Sequence, residues 1–432
     1  MRAMWKSVWR AALATAVSLT AGAAMASVYG CRGIDGGHFW SSIEGRDGVF
    51  FRVTPELHNY HPMTDATIGE LAKFSRALKA GGTTLVLAPV PTKALAMPRY
   101  LDTDIELFGY DPESATTVYL DAISRLRAAD IATADALRAL ILSERAPYFR
   151  ADYRMTAHGA AIAAAAIGRE IQNSDGYAQR ARNVFASNRI GEAEIPSAMR
   201  TALQQHCEAT LPPPVTETFE TRLETRATQE GSGVIALVGT EYSDLPEANF
   251  AGFLAEETGF EVIQYSLPGG GAFGAISTYL TSEEFATARP DYLVWEFPVY
   301  DNPGGRGLQP LEELIAAARN RCREESPLAV ADRETQPRVA RADLGSLASP
   351  KGLSLLLDTD GAPAQIARFA FDKGDGLIRT KIIARHPEQL PTGRFFVPLS
   401  GLWPDGADAV EITLDVAFGD APSLSVCSMG EE

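Results

Sequence analysis

Three short runs govern what this chain can fold into: "TLVLA" (84–88), "GVIALVG" (233–239) and "DYLVWEF" (291–297). Each is apolar almost without a break over a strand's length. A strand apolar on both faces belongs in a parallel sheet covered by helices on both sides. Helical patterns lie between the runs. One covers Ile68–Ala80 and stops at Gly81-Gly82, and "TVYLDAISRLRAADI" (117–131) places apolar residues three and four apart. "HGAAIAAAAIGREI" (158–171) is an Ala-rich buried helix, and "NFAGFLAEETG" (249–259) follows the second strand. "EVIQYSL" (261–267) adds a strand, and "GRDGVFFRV" (45–53) reads as a hairpin turning at Asp47-Gly48. Strands alternating with helices imply an α/β domain whose ligands lie at the strand C-terminal ends. "LVGTEYS" (237–243) and "WEFP" (295–298) both fall there.

The pattern changes near residue 335. "LSLLLDT", "IARFAFD", "LIRTKIIA", "GRFFVPLS", "AVEITLDVAF" and "SLSVCSM" are short strands separated by Gly, Pro and Asp turns. They predict a small all-β sandwich over 345–432, after an α/β domain over 27–338. "TLPPPVTETFETRLETRATQEGSG" (210–233) reads as a polar connector inside the first domain.

Residues 1–26 have the form of a cleaved secretory signal. Arg2, Lys6 and Arg10 precede an Ala-rich apolar run and the small-residue site "AMAS". The formal charge of −16 becomes about −19 once that segment is removed. Such acidity argues against nucleic acid as a partner. Four cysteines, Cys31, Cys207, Cys322 and Cys427, have no metal-binding spacing; in an exported chain they predict two disulfides, with three pairings open. No cofactor motif is present: "PGGGAFG" (268–274) lacks the Lys-Ser/Thr of a phosphate loop.

Six segments occur in order: "IEGRDGVFF", "LVLAPVPTKALAMPRYL", "YFRADYRMTAHGA", "LVGTEYSDLPEANFAGFL", "YSLPGGGAFGA" and "YLVWEFPVYDNP". Together they resemble the SGNH-hydrolase-like domain of the alginate O-acetyltransferases AlgX and AlgJ, and the C-terminal strands resemble the carbohydrate-binding module that AlgX carries. The resemblance implies a periplasmic protein of exopolysaccharide biosynthesis, with Cys31 paired to Cys207 and Cys322 to Cys427. Partners would be an anionic polysaccharide and other biosynthesis proteins. It also implies a Ser-His-Asp triad, with the patterns G-x-S-[FY]-S and D-T-H-W-T-x-x-G-A. Here "GTEYS" puts Glu241 at the serine position, and "DYRMTAHGA" keeps Asp152 but puts Arg154 at the histidine position. Arg stays protonated and cannot serve as a general base. A carboxylate attacking an ester would give an anhydride, which lies uphill. The triad chemistry is therefore expected to be absent.

Arg154 and Glu241 are instead expected to pair across the pocket, with Asp152 accepting a second Arg hydrogen bond. The competing expectation is a displaced Ser243–His158 dyad, set against a turn-shaping role for Ser243. By family position Gly269, Gly270 and Gly271 resemble an oxyanion-type donor loop. His38, His58, His61 and His206 read as surface or packing residues. In the sandwich, Lys373, Arg379, Lys381, Arg385 and Arg394, with Trp403 nearby, suggest a face for an anionic polysaccharide. The alternatives are an active acyltransferase or esterase using displaced residues, and a scaffold that binds no sugar.

Overall fold

The computed structural model describes residues 27–429, apart from 37, 38, 62, 229, 230, 320, 323–325 and 346–351. The signal-like segment and His38 lie outside the described residues. A small hairpin opens the fold: β1 (Ser42–Glu44) pairs antiparallel with β2 (Phe50–Arg52), and Asp47 and Gly48 take left-handed φ of 56° and 67° at the turn. The helix Asp65–Lys79 is capped by the Thr64 side chain, and past its end Gly82 turns with φ of 88°.

The central sheet contains β3 (Thr84–Val90) and the two-residue β4 (Ala132–Thr133). An antiparallel ribbon, β5 (Val184–Glu194) with β6 (Val215–Thr225), stands outside it. β7 (Val234–Val238), β8 (Glu261–Gln264) and β9 (Tyr292–Pro298) complete the sheet in the order β4-β3-β9-β7-β8, every pair parallel. Side chains alternate between two cores, as the period of a strand requires. Val86, Ala88, Ile235, Leu237 and Val294 meet the helix Ala157–Gln172 on one face. Leu85, Leu87, Ala236, Val238, Leu293 and Trp295 meet helices Asp65–Lys79, Gly271–Leu280 and Gln309–Arg319 on the other.

β6 corrects the expectation of a connector over 210–233. Within "VTETFETRLET" the alternation of Thr with Glu, Phe and Leu is a half-exposed strand pattern, and its partner β5 is equally polar. The polar composition concealed the period.

The C-terminal strands are β10 (Arg321–Cys322), β11 (Ser326–Pro327), β12 (Ala329–Asp332), β13 (Gln336–Asp343), β14 (Leu353–Asp358), β15 (Ile366–Asp372), β16 (Ile378–Ala384), β17 (Arg394–Pro398), β18 (Ala409–Leu414) and β19 (Ser423–Ser428). They form two antiparallel sheets. One has the order β10-β19-β14-β17 with β11 also on β19, and the other β12-β13-β18-β15-β16. Leu355, Leu357, Phe369, Phe371, Phe395 and Ile412 fill the space between them. As hydrogen-bonded units these sheets begin at Arg321, ahead of residue 345. Disulfides join Cys31 to Cys207 and Cys322 to Cys427, the pairing the resemblance implied.

Candidate functional site

The C-terminal ends of β3, β7 and β9 lie along one edge of the parallel sheet. β7 ends at Val238, Gly239 follows, and Thr240 caps a one-turn helix over Glu241–Asp244. Only glycine fits at 239: a Cβ there would stand 2.2 Å from Ser243 Oγ and 2.5 Å from Glu296 Oε2. That space holds a buried network. Glu296 of β9 accepts from Thr240 N–H at 2.7 Å, from Thr240 Oγ1 at 2.9 Å and from Ser243 Oγ at 2.8 Å. Ser243 Oγ also lies 2.7 Å from Ser266 Oγ. Burial pushes the Glu296 carboxyl up to about 7, against the pull of these hydrogen bonds.

The loop carrying Asp152 and Arg154 precedes the helix Ala157–Gln172, whose cap is Thr156. Arg154 grips Asp152 in a fork, with Nε to Oδ1 and a terminal nitrogen to Oδ2, both 3.0 Å, while its backbone N–H donates to Oδ1 at 2.8 Å. The guanidinium also donates to the Pro196 carbonyl at 2.6 Å. Burial opposes the Asp152 charge, but Arg154 outweighs it and holds the carboxyl below its ordinary range. Glu241 accepts from Gly269 N–H at 3.3 Å.

The expected Arg154–Glu241 ion pair is therefore not formed. Arg154 turns to the carboxylate two residues away, which its own backbone N–H already orients, and Glu241 turns to the glycine loop. The expected second hydrogen bond from Arg to Asp152 is the main contact. The Ser243–His158 dyad is not formed either: Ser243 is 1% exposed and bound to Glu296, and His158 Nε2 lies 2.7 Å from Ser143 Oγ.

Two charged residues the sequence reading passed over build the floor. Lys93, fully buried, donates from Nζ to the carbonyls of Phe50, Arg150 and Asp152 at 2.7, 2.8 and 3.0 Å. Arg52 pairs with buried Glu56 at 2.8 Å, lies 3.9 Å over the Tyr153 ring and reaches the hydroxyls of Tyr242 and Tyr300. A charged residue inside an apolar strand-to-helix segment was the available signal: "APVPTKALA" places Lys93 where burial is expected. Among the described residues no group of three or more His, Cys, Asp or Glu is placed to hold a metal.

Residues 43–299, more than half of the chain, match the model of the SGNH hydrolase-like domain of the acetyltransferase AlgX. The chain belongs to that family. The alginate biosynthesis protein AlgX of Pseudomonas aeruginosa is 31% identical over 271 residues, which is 61% of this chain and 57% of that protein. A probable alginate O-acetylase AlgJ of Pseudomonas fluorescens is 30% identical over 234 residues, 51% of this chain and 57% of the relative. The sequence match thus spans little more than half the length of these relatives. The solved Pseudomonas aeruginosa AlgX structure superposes with a TM-score of 0.76 at 25% identity, covering 90% of this chain and 94% of that one.

Against this AlgX-family frame the remaining expected site residues fall as follows. Gly269 N–H is taken by Glu241, and Gly270 N–H closes a turn to Leu267 O at 3.2 Å. Gly271 has φ of 60°, and a Cβ there would lie 2.4 Å from Asp301 Oδ2, which accepts from Ala272 N–H. The C-terminal cations expected at a binding face, Lys373, Arg379, Lys381, Arg385 and Arg394, each have a partner within the chain. Lys373 pairs with Asp405 at 2.7 Å and Arg394 with Asp358 at 3.4 Å. Lys381 donates to the carbonyls of Pro398 and Ser400 at 2.6 and 2.7 Å. Arg379 donates to Gly401 O and covers the Trp403 ring at 4.8 Å. Arg385 is buried and pairs at 2.8 Å with Glu313 of the helix Gln309–Arg319. For Arg385 this corrects the expectation of a polymer-facing cation: it lies just past the end of β16, where the helix Gln309–Arg319 covers it.

Proposed function

We propose that this AlgX-family chain is an exported, periplasmic protein of alginate-type exopolysaccharide biosynthesis. It holds polymer or partner proteins and does not transfer acetyl groups through the family's triad positions. The observation carrying this reading is the fork of Arg154 on Asp152. The carboxylate that would orient a base is neutralised by a permanent cation, and the residue at the nucleophile position is a carboxylate bonded to the glycine loop. Two disulfides support an oxidising compartment. The α/β domain is proposed to end near Arg319, with the polysaccharide-type module following.

The test is hydrolysis of a chromogenic acetyl ester by the wild type and by the double variant Glu241→Ser with Arg154→His. The wild type is expected at the blank rate. Turnover by the wild type equal to or above that of the double variant overturns the reading. A scaffold that binds no sugar is the second reading, favoured by the internal pairing of Lys373, Arg379, Lys381, Arg385 and Arg394. Retention on immobilised polymer separates the two.

A further inference from the structure

A cavity of about 490 Å³ lies beside the Asp152–Arg154 loop, lined on one side by the residues that lead into it and by Thr156 just after it. That is within the roughly 300–1,000 Å³ of small-ligand sites. One wall is the segment 145–151 and the other is Pro212-Pro213-Pro214 leading into β6, with His158 and Glu217 among the polar residues.

The chemistry of the walls narrows the ligand. Three consecutive prolines give a rigid apolar surface, suited to the C–H face of a ring at little entropic cost. Arg145 pairs with Glu217, and Arg189 bridges Glu217 and Glu192, so these charges balance. Arg150 is the surplus: it is exposed, and its guanidinium donates to Asp47 O at 3.3 Å with no carboxylate of the described residues against it. Ser143 Oγ donates to Arg145 O at 2.7 Å, so His158 Nε2–H donates to Ser143 and the ring's Nδ1 is left as an acceptor. A cation, a neutral imidazole acceptor and an apolar plate suit a ring bearing hydroxyls and one carboxylate.

We propose that this groove is a saccharide subsite that takes one or two hexuronate rings, with the carboxylate on Arg150 and a hydroxyl on His158 Nδ1. The subsite adjoins the triad-position loop. Phe149 N–H donates to Arg154 O at 3.2 Å, and Thr156 N–H donates to Pro147 O at 2.9 Å, so an occupant touches the segment that sets Arg154. The ligand class rests on the polymer-binding reading above, but the location does not: it is a different surface from the module.

The experiment titrates the full exported chain with a mannuronate disaccharide and with neutral cellobiose, read by calorimetry and saturation-transfer NMR. Retention on immobilised alginate is measured in parallel. Arg150→Ala is expected to weaken the uronate about tenfold, the scale of one charge-assisted hydrogen bond, and to leave cellobiose unchanged. His158→Ala removes the acceptor, and weakens both sugars. Arg379→Ala in the module leaves disaccharide binding unchanged. Mannuronate-disaccharide binding that is undiminished in both Arg150→Ala and His158→Ala in folded protein, or that Arg379→Ala abolishes, overturns the subsite. Polymer retention without disaccharide binding sinks the subsite alone, and loss of both sinks the polymer-binding reading as well.

Discussion

Lys93 shows how a single side chain sets the site. Burial drags its pKa down to about 7, with Glu56 and Asp152 pulling the other way and Arg52 adding to the drop. Its three carbonyl acceptors need three N–H donors, which only the ammonium offers. Lys93→Met leaves those carbonyls without a donor and is expected to cost about 3 kcal/mol, seen as a lower midpoint in denaturant. Glu296 is the opposite problem, a carboxyl whose folded pKa is raised from 4.5 to about 7. Its favourable protonated form is fully present below 4.5, and the advantage fades as pH rises towards 7. Glu296→Gln, which stays neutral, should therefore gain stability relative to the wild type between pH 5 and 8. The gain is up to roughly 3 kcal/mol. A thermal-unfolding difference that stays flat across that range would show the carboxylate is charged throughout.

At the scale of elements, the helix Gln309–Arg319 is the seam between the α/β domain and the C-terminal sheets. Leu311, Leu314 and Ala318 face the central sheet's core, and Glu313 takes Arg385 and the Phe396 N–H from the module. Glu313→Ala leaves a buried guanidinium without its counter-charge and is expected to cost about 3–5 kcal/mol, while Glu313→Leu with Arg385→Met is expected to be near neutral. Chemical denaturation of both variants checks this. The elements themselves were largely legible. The apolar runs became β3, β7 and β9, and Gly81-Gly82 marked a helix end, because burial on two faces and helix termination leave composition signals. The β5–β6 ribbon was not legible, since its packed side carries few large apolar residues, Phe219 among them, and leaves only a weak alternation. At the site, residue types were legible and geometry was not. "DYR" and "GTEYS" showed that Arg154 and Glu241 were present, but not that a carboxylate two residues from Arg154 would capture it. Nor does any local pattern reveal that Lys93 meets Phe50 and Asp152, which lie more than forty residues away in either direction.

For the whole molecule, the Cys322–Cys427 bridge closes a loop with a sequence separation of 105 residues. In the chain-entropy model such a bridge stabilises by about 4–5 kcal/mol, so Cys322→Ser with Cys427→Ser should make the C-terminal strands the first segment cut in limited proteolysis. Cleavage first within the α/β domain would place the weak point elsewhere. The core under the second sheet face runs without a break into Leu356, Phe396 and Cys427. Synthesis proceeds from the N-terminus, so the helix Gln309–Arg319 is complete about 75 residues before β17 and about a hundred before β19 exist to cover it. During that interval its module-facing side is a bare hydrophobic surface beside a free Cys322 thiol. A chain of this design needs shielding until its last strand arrives, and one stopped short of β19 keeps both liabilities.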